Sequence, residues 1–219
     1  MFQQGSYYLY LGENLYMNSN RIVLFVAIGL LTIMVVANSI NSNGDYIPLD
    51  SLEISAADNT ENFSKLMDVL THPRCMNCHP NDNIPKQGID RHPHYFDMAR
   101  GEDDHGFKAT SCNTCHQSEN NPYSGVPGAP HWALAPASMG WQGLSHEQIA
   151  QRLLDKSTNG GKDHKALVEH LTQDKLVLWA WEPGVDANGN LRETPPISKE
   201  EYIQVVEEWF ANGAVIPVN

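Results

Sequence analysis

Basic residues are scarce in this 219-residue chain: 14 Lys and Arg stand against 26 Asp and Glu, for a formal charge of −12. That balance argues against a nucleic-acid binder, which carries a basic face. Cysteine is scarce too. Four thiols are too few for a disulfide-dense mini-fold. Charged residues make up only 18% and apolar residues 41%, which argues against wholesale disorder. The chain has no glycine-rich phosphate loop, no nucleophile elbow and no H-E-x-x-H. No segment alternates convincingly like a half-buried strand. Residues 71–140 also lack a sustained apolar period, and so long an irregular stretch in a compact domain needs something else to organise it. A large apolar cofactor would do so.

What is present begins with one uncharged run, Ile22 to Ala37. It is short for a bilayer-spanning helix, which takes about 20 residues. Flanked by Arg21, with Val35 and Ala37 before a cut ahead of Asn38, it reads as an export signal, cleaved or kept as an anchor. A buried core helix is the competing reading. No cysteine follows the run, which excludes a bacterial lipoprotein. Residues 1–16 carry several tyrosines and no basic residue, so a start at Met17 gives a more ordinary signal, M-N-S-N-R. The expected organisation is an extension with signal or anchor over 1–37, a polar linker over 38–60, and one domain over 61–219.

Within that domain Phe63, Leu66, Met67 and Leu70 fall at helical spacing. Ser145 with Gln148 forms a capping-box pattern ahead of Ile149, Leu153 and Leu154. Further helical segments are expected over Lys165–Leu171 and Lys175–Trp181, with a loop from Asp186 to Pro196. Ser198 and Glu201 start a last helix, whose face carries Tyr202, Val205, Val206, Trp209 and Phe210, and Gly213 stops it. These helices are expected to cover the irregular middle, with Trp179, Trp181 and Trp209 as the covering layer.

All four cysteines lie in two copies of C-x-x-C-H: Cys75, Cys78 and His79, then Cys112, Cys115 and His116. This is the attachment signature of c-type haem. Two thiols at this spacing add across the two vinyl groups of one porphyrin. The adjacent histidine then lies under the iron as an axial ligand. Such attachment happens outside the cytoplasm, in keeping with the export signal. A four-cysteine zinc site and a pair of redox dithiols are the alternatives.

A shift of 37 residues carries the first motif onto the second, and also Pro93-His94-Tyr95 onto Pro130-His131-Trp132. Each half thus reads C-x2-C-H-x13-P-H-aromatic. The spacing suggests His94 and His131 as distal ligands, each on the haem of its own half, with the aromatics packing on the porphyrins. His72, His92 and Met139 are rivals for these places. His105, His146, His164 and His170 read as surface or hydrogen-bonding histidines.

The two attachment motifs resemble those of a dihaem c-type cytochrome. The segments T-H-P-R-C-M-N-C-H-P, H-P-H, P-H-W-A-L-A-P-A-S-M-G-W-Q-G, N-G-G and W-A-W-E-P-G more weakly resemble small bacterial proteins labelled isoquinoline 1-oxidoreductase subunits. The first resemblance implies a mainly α, haem-cored cytochrome c-type domain, with long loops around two haems and C-terminal helices. The second implies a molybdenum hydroxylase as electron-transfer partner. The expected function is electron transfer between redox proteins, outside the cytoplasm, in the periplasm or anchored on the outer face of the inner membrane. Two covalently attached haem c groups are the expected cofactors, the partners have basic docking surfaces, and the chain has no catalysis of its own. The alternatives are a haem enzyme or gas-binding protein with one open iron, and a zinc-stabilised interaction module.

Overall fold

The computed structural model describes residues 49–217. The run Ile22–Ala37, the start at Met17 and the extension over 1–37 lie outside them. Among the described residues, no helix is long and apolar enough to cross a membrane. Residues from Ser55 onward form one compact unit.

The first helix, α1, runs Leu49–Leu70. It begins well inside the stretch read as a linker. Its polar first half has no proline or glycine to break it, and low apolar content alone does not forbid helix when the following turns are anchored. The anchor is Phe63, Leu66, Met67, Val69 and Leu70, all buried. Thr71 closes the helix, its hydroxyl donating to the Met67 carbonyl at 2.7 Å. A single turn, α2 (Pro73–Met76), follows at once, with Pro73 at its first position.

After residue 144 the helices follow their sequence signals closely. They are α3 (His146–Leu154), α4 (His164–Gln173), α5 (Lys175–Leu178) and α6 (Lys199–Ala211). The α3 capping box is formed: the Gln148 amide donates to Ser145 Oγ at 3.3 Å, and the Ser145 amide to Gln148 Oε1 at 2.9 Å. Asp163 and Asp174 cap α4 and α5, accepting from the amides of Ala166 and Leu176, each at 2.9 Å. The end of α6 is a Schellman motif. Gly213 (φ 85°) takes the left-handed position, its amide donating to Phe210 and that of Ala214 to Trp209.

Ile149 and Leu153 of α3, Leu167 and Leu171 of α4, and the apolar face of α6 close over α1 in one core. Met76, Met139 and Trp141 belong to that core, and Cys75 packs against it. The helices therefore hold the first cysteine motif directly. Of the three expected covering tryptophans, Trp209 is instead fully buried in the helical core, and Trp181 packs against Tyr202 at 4.5 Å. Trp179 alone lines the cavity described below.

The middle of the chain does contain strand, in ladders too short to show alternation. Lys86–Gln87 (β1) pairs with His92–Pro93 (β2), and Gly106–Phe107 (β3) with Thr110–Ser111 (β4), both antiparallel. Loops are tied by side chains where ladders are missing. Buried Arg100 pairs with Asp104 at 2.5 Å and donates to the carbonyls of Ala135 and Pro80, gathering three loop segments.

Leu66→Ala, at a fully buried position in α1, is expected to cost about 2–5 kcal/mol. Ile84→Ala, at a site 41% exposed, is expected to stay within about 0.5 kcal/mol. Denaturant midpoints at constant slope check both values.

Candidate functional site

Each C-x-x-C-H motif is wound into a tight turn. In the first, α2 is capped by His72, whose Nδ1 accepts from the Arg74 amide at 3.2 Å. The chain then tightens, with the Cys78 amide on the Cys75 carbonyl at 3.2 Å and that of His79 on Met76 at 3.1 Å. In the second, a 3-10 turn spans Cys112–Thr114, and the amides of Cys115 and His116 both donate to the Cys112 carbonyl. Residues three apart share a side of such a turn, so each motif presents its two cysteines together. All four thiols are free.

The two motif histidines are held alike. His79 Nδ1 lies 2.7 Å from the Met139 carbonyl, and His116 Nδ1 lies 2.7 Å from the Pro127 carbonyl. A carbonyl only accepts, so each Nδ1 carries the proton and each Nε2 keeps its lone pair. Each ring is also stacked by an indole. Trp141 lies 3.6 Å from His79 at 12°, and Trp132 lies 4.5 Å from His116 at 8°. Burial pulls the His79 imidazole down to about 4, against the Met139 carbonyl, with the charges of His170 and Arg100 adding to the fall. Burial lowers His116 as well, helped by His94 and Arg192. Both rings are neutral at physiological pH, the form that binds metal.

The thiols are shifted the other way. Burial pushes Cys75 up to about 12, and burial together with neighbouring Cys112 pushes Cys78 up to about 11. Redox dithiols need the opposite, a stabilised thiolate. Among the described residues, no three His, Cys, Asp or Glu side chains are gathered to hold a metal ion, where a zinc site needs three or four.

Backbone pairing explains why these partners meet. The amides of Ala135 and Trp141 donate to the carbonyls of Cys78 and His79, each at 2.9 Å. Segment 135–141 is therefore laid along the first motif, and Met139 and Trp141 arrive at His79 together. At the second motif, Asn120 Oδ1 accepts from the Gly128 amide at 3.0 Å and from Trp179 Nε1 at 2.8 Å. Trp179 meets Trp132 edge-on at 4.8 Å, with Arg74 5.9 Å above its ring. Arg74, beside Cys75, is thus joined through two indoles to His116.

A cavity of about 1030 Å³ opens between the motifs. It is large for a small-molecule site, which spans roughly 300–1,000 Å³. Cys78 lines it from the first motif, and Cys112, Cys115 and His116 from the second. Tyr95, Phe96 and Phe107 line it as well while remaining 63%, 87% and 47% exposed. Exposed aromatics at a cavity of this size suit a broad apolar ligand that covers them. Cys75 and His79 lie outside the lining, so the cavity joins Cys78 to the second motif; there the paired free thiols, the neutral His116 imidazole and the apolar lining fit covalently attached haem.

The other singled-out histidines are distributed unevenly. His92 and His94 line the cavity; His131 is exposed, at φ 59°, and does not. The ring beside His94 is that of His116, at 5.9 Å. The two loops of the repeat fold differently. The first makes the β1–β2 hairpin, while the second makes a turn closed by Asn121 and Val126. Of the two matched aromatics, Trp132 stacks on a motif histidine, but Tyr95 lies against His92 at 5.0 Å. His72 serves as a cap and approaches Glu193 at 3.7 Å. Met139 contributes its carbonyl to His79 and buries its side chain in the core. His105 and His170 hydrogen-bond Asp103 and Asp174, and His164 lies exposed against Phe210. Sequence reading missed Trp141 and the carbonyls of Met139 and Pro127. Backbone acceptors leave no residue-type signal, and Trp141 lies outside the repeated segment.

Gly128 is required for this geometry, since a Cβ there would meet the carbonyl oxygens of Gln117 and Glu119. Gly128→Ala is expected to displace Pro127 from His116 and to cost about 1–3 kcal/mol. The denaturation midpoint reads the cost, and faster exchange of the His116 Nδ1 proton reads the displacement.

No family model, no curated protein and no solved structure matches the chain.

Proposed function

We propose that the protein is an extracytoplasmic dihaem c-type cytochrome that passes electrons between redox partners. The observation that carries this reading is the matched treatment of His79 and His116. Each follows a pair of free thiols, has Nδ1 fixed by a backbone carbonyl at 2.7 Å, and is stacked by an indole. Cys75 and Cys78 would hold one haem and Cys112 and Cys115 the other, with His79 and His116 each supplying an imidazole nitrogen to the iron of its own motif's haem. Haem supplies a one-electron iron couple, tuned by its ligands and its burial. The chain supplies orientation: the carbonyls fix the imidazole tautomer, the indoles fix the ring planes, and the helical core fixes the first motif.

The net charge of −12 favours partners with basic docking faces and makes the encounter sensitive to salt. Attachment chemistry of this kind takes place outside the cytoplasm. The reading therefore includes export, with the chain in the periplasm or held at the outer face of the inner membrane. A molybdenum hydroxylase is one partner of the proposed kind.

The test is haem stoichiometry by intact mass after expression in a host that matures c-type cytochromes. Two covalent haems are expected, one in Cys75→Ala/Cys78→Ala, and none when Cys112 and Cys115 are replaced as well. A full-length product without covalent haem overturns the reading. Tryptophan emission gives a second check. Trp132, Trp141 and Trp179 lie on or near the motif rings, so haem is expected to quench the native emission strongly, with recovery on unfolding.

A further inference from the structure

We propose that His94, carried by the first half of the repeat, is the axial partner of His116 in the second half, so that the halves interlock across one iron. This rests on the haem reading above and adds which residue completes which site.

The geometry comes from two rings that line the same cavity. Their centroids are 5.9 Å apart with planes at 72°. Two imidazoles on opposite sides of one metal, each bonded at about 2.0–2.1 Å, place their centroids roughly 6 Å apart. Both rings are prepared in the same way. His116 Nδ1 is 2.7 Å from the Pro127 carbonyl, and His94 Nδ1 is 2.7 Å from the Tyr95 carbonyl. Each therefore keeps Nε2 as its free ligand atom, with the tautomer fixed from behind.

The position of His94 is built by the fold. The Lys86 amide donates to the Asn77 carbonyl at 3.2 Å and Asn77 Nδ2 to Gly88 at 2.9 Å, which hangs the β1–β2 hairpin from the first cysteine motif. The His94 amide then donates to Pro85 at 2.8 Å, and Gln87 Oε1 accepts from the Tyr95 amide at 3.1 Å. The hairpin, tied to the first motif, thus sets the His94 ring beside that of His116 in the second. The competitors are placed less well for His116. His131 is exposed and outside the cavity lining. His92 lines the cavity too, with Nδ1 2.7 Å from Asp90 and Nε2 buried without a hydrogen-bond partner, but its ring packs against Tyr95 at 5.0 Å rather than against His116.

The experiment uses the full-length protein matured with haem. Replacing one cysteine of a motif leaves its haem bound by one thioether and shifts that haem's visible band, which marks it. His94→Ala is expected to turn the haem marked by Cys112→Ala from low-spin to high-spin, and to add one carbon monoxide site per molecule on reduction. The haem marked by Cys75→Ala is expected to keep its spin state. His94→Met is expected to restore a low-spin iron and to introduce a methionine–iron charge-transfer band, which a merely structural role for His94 would not produce. A spin change confined to the Cys75-marked haem overturns the proposal. So does an unchanged spin state at both haems, or opening of the Cys112-marked haem by His131→Ala. Absence of covalent haem from the parent protein overturns the underlying reading first, and is recognised by mass before any ligand is tested.

Discussion

A backbone carbonyl behind a histidine ring is the contact on which this structure turns. Met139 and Pro127 each place one at 2.7 Å from an Nδ1, and that fixes the tautomer of His79 and His116. Holding those carbonyls in place requires much of the remaining fold. Met139 is delivered by a segment paired to Cys78 and His79 and packed into the helical core. Pro127 is delivered by a loop pinned at Asn120, which is itself held by the Trp179 indole and by the carbonyl of Glu182. The segment after residue 144 thus acts on both sites, through its helical core at the first motif and through a polar pin from Trp179 and Glu182 at the second.

This division has an electrostatic side. The first motif is the more enclosed. Its histidine is pulled down to about 4 and its thiols rise to about 12 and 11, chiefly by burial. The second has an exposed Cys115 and lies among loops. On the proposed reading, two irons with similar protein ligands then sit in unequal surroundings. Solvent exposure is one of the levers that set a haem potential, so on that reading the fold would separate the two couples without needing different residue types.

Much of this was legible in the sequence, and the legible part is local. Ser145 with Gln148, Ser198 with Glu201, and Gly213 mark helix ends because capping is chemistry between near neighbours. The C-x-x-C-H spacing is legible for the same reason. The contacts that complete the site are not local. The partner of His79 is the carbonyl of Met139, and its stacking ring is Trp141, both reached only after the chain has crossed the cavity region. The repeat gave equal spacings to His94 and His131, but spacing does not encode the path between. A two-residue ladder, too short to show alternation, sets His94 beside His116, while His131 stays exposed. The helical start at Leu49 escaped for a related reason, because the apolar anchor of α1 lies in its later turns.

The crossing of His94 changes how the repeat is to be understood. Two independent half-domains would each bury one set of ligands, and either could be lost without the other. Here the hairpin that bears His94 hangs from Asn77, inside the first motif, while its ring lies against the histidine of the second. Arg74, beside Cys75, reaches the same histidine by a second route, through Trp179 and Trp132. Two physically separate links therefore run from one motif to the other, one along the backbone of a hairpin and one through stacked rings. Moving either motif strains both links, which constrains the separation and tilt of the two sites more tightly than a single loop could. On the proposed reading that constraint would have a direct use, because electron transfer between two centres depends on the distance between them.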